Sequence, residues 1–146
     1  MTPQKSIDLI KRFEGFSNKA YADPGTGATP WTIGYGSTRH LDGSPVGRFD
    51  VITREVAEQL LRNELEFMSA QIKATVSQNQ FDALCSFAYN CGVKALLRST
   101  LYRKVKANPA DPAIQAEFMK WTKAGGHVLD GLVKRRAAEW NLYNTP

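Results

Sequence analysis

The sequence predicts an α+β fold, with a small β-containing N-terminal lobe over about residues 1–50 and a larger helical lobe over about 51–146. Three observations carry this expectation. A first helical stretch stops at Gly15, and the residues from there to 50 are dense in glycine and proline. From Thr53 onward the apolar residues recur at helical spacing to the end of the chain. The 146 residues, 42% apolar and 23% charged, suit one globular domain with a sizeable core. A cleft between two such lobes is where a ligand is expected.

The elements follow in order. Thr2-Pro3 reads as an N-cap with proline in the first turn. Ile7, Ile10 and Phe13 then share a helical side, and Glu14 is the last residue before the Gly15 stop. Gly25, Gly27, Gly34, Gly36, Gly43 and Gly47 punctuate the next stretch together with Pro24, Pro30 and Pro45. Short strand-like pieces lie between them, Trp31 to Tyr35 being one. Thr53 is expected to cap a helix carrying Val56, Leu60, Leu61 and Met68. Ser77 and Gln80 have capping-box spacing, followed by an amphipathic stripe of Phe81, Leu84, Cys85 and Ala88 that Gly92 ends. A further helix is expected from about Leu96 to Lys106, and another after Asp111-Pro112, anchored by Phe118 and Trp121. Asp130 is expected to cap the last, which carries Val133, Ala137 and Trp140.

Composition narrows the function classes. No apolar run is long enough to span a bilayer, and the N-terminus lacks the basic-then-apolar pattern of a signal peptide. Synthesis and folding in the cytosol are therefore expected. The net charge of +5 favours a polyanionic partner such as nucleic acid, an acidic membrane or an anionic cell envelope. No zinc-finger spacing or RNA-recognition motif accompanies it, and nucleic acid is not the expected partner. The two histidines, His40 and His127, stand in no ligand-spaced cluster, so neither metal nor cofactor is expected. Cys85 and Cys91, on one helix, would be separated by roughly 9 Å of rise, too far for an unstrained bridge. Buried free thiols are the expectation.

The chemistry-bearing pattern is Glu14 at a helix end and Asp23 nine positions later beside a turn. Two carboxyls presented from different elements across a gap are what glycoside hydrolysis needs. At the negative end of a helix dipole and beside Phe13, Phe16 or Trp31, Glu14 would favour the protonated form that a general acid requires. A solvated helix-end glutamate is the alternative. Asp23 precedes Pro24-Gly25, so it is either the base or a turn residue bonding the backbone, and the two roles are compatible. Thr32 is either a water-holding hydroxyl or simply a good strand former, with Thr29 as a competing choice. Arg136 shares a helical side with Val133, Ala137 and Trp140, where an arginine calls for a buried acid or a bound anion, Glu14 being an attractive partner. Arg135 pairs instead with Glu139 at i, i+4 on the surface, unless both arginines belong to an exposed basic face.

Three stretches then carry a resemblance: Phe13-Glu14-Gly15; Ala20-Tyr21-Ala22-Asp23-Pro24; and Trp31-Thr32-Ile33-Gly34-Tyr35-Gly36. Gln80 through Leu84, Phe87 through Asn90, and Trp121 through Gly126 to Gly131-Leu132-Val133-Lys134-Arg135-Arg136 extend it over nearly the whole chain. In this order they resemble the phage lysozyme (endolysin) family, the T4-lysozyme-like glycoside hydrolases. The resemblance implies a lysozyme-like fold with an active-site cleft between its lobes. It implies hydrolysis of the β-1,4 bond between N-acetylmuramic acid and N-acetylglucosamine in peptidoglycan. The family's Glu, Asp and Thr fall on Glu14, Asp23 and Thr32, with Tyr35, Asn90, Arg135 and Arg136 as substrate-binding or supporting residues. Glu would protonate the leaving oxygen while Asp, helped by Thr, positions water, with inversion the usual outcome.

Two departures accompany it. Thr32 stands nine residues after Asp23 where six is common, a three-residue extension of the loop, and matching Trp-Thr-Ile-Gly-Tyr-Gly favours Thr32 over Thr29. Ser37 occupies the position after Gly36 where many relatives have histidine. A single catalytic domain over 1–146 with no separate wall-binding domain, a monomer, and release by a holin from the host cytoplasm to act in the periplasm complete the expectation. A lytic transglycosylase and a non-catalytic peptidoglycan-binding module are the alternatives.

Overall fold

The computed structural model describes residues 1–146. The chain forms two compact units, one of residues Ile10–Glu64 and the other of Met1–Leu9 together with Leu65–Pro146. The division therefore differs from the 1–50 and 51–146 lobes read from the sequence. It falls inside α1 (Lys5–Glu14) and α2 (Arg54–Ser69), whose hydrophobic repeats run on without a break and give no boundary signal.

In the unit of residues 10–64, Gly15 takes φ +68, a left-handed conformation that ends α1 directly after Glu14. Strand β1 (Ser17–Tyr21) pairs antiparallel with β2 (Thr32–Gly34), Tyr21 lying opposite Thr32. On its other edge β1 takes Val51 opposite Lys19, with bonds from Ala20 N to Asp50 O and from Ile52 N to Asn18 O. The small sheet thus has β1 at its centre. Ile10, Ile33, Tyr35, Val46, Ala57, Leu60 and Leu61 form the core beneath it. Thr53 caps α2 as expected, its Oγ1 accepting from Val56 N at 3.2 Å.

In the other unit, α3 (Gln78–Cys91) is the central element. Its N-terminal capping box of Ser77 and Gln80 is present, and Gly92 closes it. The expected one-sided stripe is too modest, because every residue from Phe81 to Ala88 is buried. Phe87 meets Trp121 and Phe118 at ring separations of 5.2 and 6.0 Å, and Phe118 in turn meets Tyr143 at 5.7 Å. The polar residues on this buried helix have committed partners. Asp82 Oδ1 accepts from Gln4 N at 2.8 Å and from Ser6 Oγ at 3.1 Å. The start of α1 is therefore at Lys5, with a distant carboxylate meeting its first N–H groups rather than Thr2-Pro3.

The helix expected over 96–106 is two, α4 (Val93–Arg98) and α5 (Thr100–Ala107). Ser99 between them donates to Leu96 O and accepts from Tyr102 N, ending one helix and capping the next. Helix α6 (Ile114–Met119) starts after Asp111, whose Oδ1 accepts from Ala113 N. The chain past Thr53 is not wholly helical: β3 (Lys123–Ala124) and β4 (His127–Val128) form a hairpin. Gly125 and Gly126 both have positive φ in its turn, which is what a two-residue hairpin loop requires. Helix α7 (Asp130–Tyr143) has Leu129 at its N-cap, so Asp130 does not cap it and instead pairs with Lys134 at 3.0 Å.

Candidate functional site

Glu14, Asp23, Thr32 and Tyr35 all lie in the unit of residues 10–64. Glu14 is half-buried at the last turn of α1. Its Oε1 lies so near Gly36 that a Cβ there would stand 3.0 Å away, so the glycine leaves the space the carboxyl occupies. The phenol of Tyr21 is raised above its ordinary pKa by burial first and by the negative charge of Glu14 second. Tyr21, on the strand that pairs with Thr32, thus lies near enough to Glu14 to feel its charge.

Asp23 follows β1 by two residues and opens a tight loop. Its backbone N bonds Ala28 O at 3.0 Å, and its carbonyl accepts from Gly27 N at 2.7 Å. Side-chain Oδ1 accepts from Gly25 N at 2.6 Å, the turn role read from the sequence. Thr26 Oγ1 donates to Thr29 O at 2.6 Å, which closes the extended part of the loop on itself. Thr29 is exposed in that loop, whereas Thr32 is half-buried at the start of β2, its hydroxyl only 3.3 Å from Pro30 O. Tyr35 is buried against Phe16 at 5.4 Å and accepts from Arg54 Nη1 at 3.3 Å. Ser37, at the position where many relatives have histidine, is buried with its hydroxyl unpaired.

Asn90, Arg135 and Arg136 lie in the other unit, and a buried cluster joins them. Arg136 Nε is 2.6 Å from Glu139 Oε1, with both side chains fully buried. Nη2 of the same guanidinium donates to Glu139 Oε2 at 3.0 Å and to Asn90 Oδ1 at 2.8 Å. Arg135 Nε reaches Glu139 Oε2 at 3.4 Å, and Ser86 Oγ donates to that oxygen at 2.6 Å. The i, i+4 pairing of Arg135 with Glu139 is thus real but buried, and the acid that Arg136 meets is Glu139. Of the basic run, only Lys134 is exposed. Burial pushes the Glu139 carboxyl up, opposed by Arg136, Ser86 and Arg135. Three donors, Arg136, Arg135 and Ser86, converge on Glu139, which when ionised can only accept. Removing one partner from a buried ion pair is strongly destabilising.

Both cysteines are free, Cys85 buried and Cys91 half-buried. Cys91 Sγ accepts from Arg136 Nη1 at 2.8 Å, and burial raises its pKa more than the guanidinium lowers it. Sequence reasoning put Arg135 and Glu139 on the surface and did not single out Ser86, yet all three are buried. A glutamate written between Ala138 and Trp140 carries no local sign of burial.

A sequence model of the phage lysozyme family matches residues 11–139. The chain belongs to that family. It is 47% identical to the endolysin of Bacillus phage B103 over 146 residues, covering 97% of this chain and 53% of that protein. To the endolysin of Acyrthosiphon pisum secondary endosymbiont phage 1 it is 43% identical, covering 97% of each. The chain thus spans about half the length of the first relative and almost all of the second. Among solved structures, the endolysin from Escherichia coli O157:H7 phage FAHEc1 superposes with a TM-score of 0.85 at 36% identity, covering 99% of this chain and 93% of that one. The muramidase domain of SpmX from Asticaccaulis excentricus superposes with a TM-score of 0.82 at 32% identity, covering 100% and 99%. The lysozyme-like α+β fold expected from the sequence is the fold observed.

Proposed function

We propose that this phage lysozyme family member is an endolysin of the muramidase type. It would hydrolyse the β-1,4 bond between N-acetylmuramic acid and N-acetylglucosamine in peptidoglycan, with Glu14 as general acid, Asp23 as base and Thr32 holding the water. The observation that carries this reading is the presentation of Glu14 and Asp23 from two elements of one compact unit, a helix end and the end of a strand. The pairing of Tyr21 with Thr32 supports Thr32 over the loop residue Thr29. The reaction is an acid-assisted cleavage. Glu14 gives its proton to the leaving sugar oxygen, the anomeric C–O bond breaks, and water loses a proton to Asp23 as its oxygen bonds the anomeric carbon. Attack from the opposite face gives inversion.

Tyr35, Asn90, Arg135 and Arg136 belong to the same proposal as substrate-binding or supporting residues. No helix is long and apolar enough to cross a membrane. Action as a monomer in the periplasm after holin-dependent release from the host cytoplasm belongs to the same proposal. Export of the intact protein in a host without any holin would refute that part.

The test of the chemistry is digestion of purified peptidoglycan by wild type and Glu14→Gln, with the released sugars identified by mass spectrometry. Reducing muramic-acid ends from the wild type are expected, with a loss of about 10²–10⁴-fold in the variant. Anhydro ends would make the protein a lytic transglycosylase, and no products from either would make it a binding module.

A further inference from the structure

We propose that Arg48, beside the rings of Trp31 and Phe49, reads the free carboxylates of the peptidoglycan stem peptides and so sets which walls the enzyme prefers. This rests on the muramidase reading and adds a specificity residue to it. The guanidinium carbon lies 5.2 Å from the Phe49 ring centre and 6.0 Å from that of Trp31, the residue next to Thr32. Arg48 is exposed and makes no ion pair and no hydrogen bond with the protein. Asp50, the acid nearest in sequence, is already engaged, its Oδ2 at 2.6 Å from His40 Nε2 and 2.7 Å from Gly47 N.

The position is fixed by the sheet. Asp50 O accepts from Ala20 N, and Ile52 N donates to Asn18 O. That antiparallel register carries residue 48 toward the end of β1 where Tyr21 and Asp23 lie, so Arg48 and Thr32 occupy the same end of the sheet. The bond from Asp50 N to Gly47 O tightens the turn that presents it.

The chemistry favours an anionic ligand. A guanidinium beside rings is held extended and less hydrated, with its planar fork ready for a carboxylate. Phe49 is 85% exposed and lends nothing to the core, but it offers a contact face to a chain lying beside the arginine. Peptidoglycan supplies carboxylates from the peptides that hang from its muramic-acid units, next to the bond being cleaved.

The test uses full-length protein carrying Glu14→Gln, which leaves binding to be measured without hydrolysis. Binding to purified sacculi is compared with binding to sacculi whose carboxyls have been converted to amides with carbodiimide and ammonia. Adding Arg48→Ala is expected to weaken binding to native sacculi about tenfold, with Arg48→Lys recovering part of it. Amidation is expected to weaken the Arg48 form several-fold more than the Ala form, whose remaining basic residues lose only their general attraction to the wall. In the active protein, Arg48→Ala should raise KM with kcat unchanged. Equal weakening of both sacculi by Arg48→Ala, or no weakening at all, would overturn the proposal. A wild type that releases no sugars while this carboxylate-dependent binding persists would instead refute the muramidase reading and leave Arg48 as a wall-binding residue.

Discussion

A methyl group on residue 36 would stand 3.0 Å from Glu14 Oε1 and would sit on a backbone with φ +95, a conformation that L side chains rarely adopt. Gly36→Ala is therefore expected to displace the carboxyl as well as strain the turn. For Glu14 as the proposed general acid, a misplacement near 1 Å costs about 10²-fold in rate. The check is the hydrolysis rate beside the melting temperature: a rate that falls no more than stability explains would show that the glycine serves only the turn. The motif Trp31-Thr32-Ile33-Gly34-Tyr35-Gly36 displayed this glycine in the sequence, but its proximity to Glu14 did not show there. Twenty-one residues separate the two along the chain, and only the return of β2 alongside β1 brings them together.

At the scale of elements, α6 is short and is fastened by Glu117, a buried carboxylate on its inner side. Lys120 lies at 2.9 Å and Lys104 of α5 at 3.2 Å. The hydrogen bond from Lys120 is the largest cause holding this carboxyl below the ordinary glutamate value; burial opposes it and Lys104 assists it. A carboxyl lowered in the folded state adds stability that is complete above its unfolded pKa and is lost as the pH falls through the lower folded value. Glu117→Gln lacks that contribution at every pH. The gap in melting temperature between wild type and variant should thus narrow as the pH drops from about 7 to about 3. A gap independent of pH would assign the effect to packing alone. The local signals that did place elements were caps: Thr53 before α2, and Ser77 with Gln80 before α3. Two failed: at Thr2-Pro3 the carboxylate of Asp82, far along the chain, meets the first N–H groups instead, and Asp130 lies one residue inside its helix rather than at the cap.

At the scale of the molecule, the first residues of the chain fold with the last eighty rather than with their neighbours in sequence. Asp82 holds Gln4 and Ser6, while Asn79 takes the backbone carbonyl of Thr145 at 3.1 Å. The N-terminal turn of α3 thus gathers segments from both ends. Asp82→Ala would leave a buried serine hydroxyl and the N–H groups at the start of α1 without their acceptor. A loss of about 1–3 kcal/mol is expected, read by chemical unfolding. An unchanged midpoint would mean that water or a shifted helix start replaces the carboxylate.

Residue order alone determined the α+β class, the helix end that carries Glu14, the turn that carries Asp23, the main caps and the family. The class, helix end, turn and caps depend on spacing, glycine and proline, and side chains acting within a few residues, while the family rests on the order of whole motifs along the chain. The tertiary structure decided where the two units divide, that α3 is buried on all sides, and that Arg135 and Arg136 converge on Glu139 inside the protein. It also set Arg48 beside the rings of Trp31 and Phe49. Burial and ion pairing arise from contacts between segments distant in sequence, and a charged residue reads the same in a sequence whether its partner is water or another side chain.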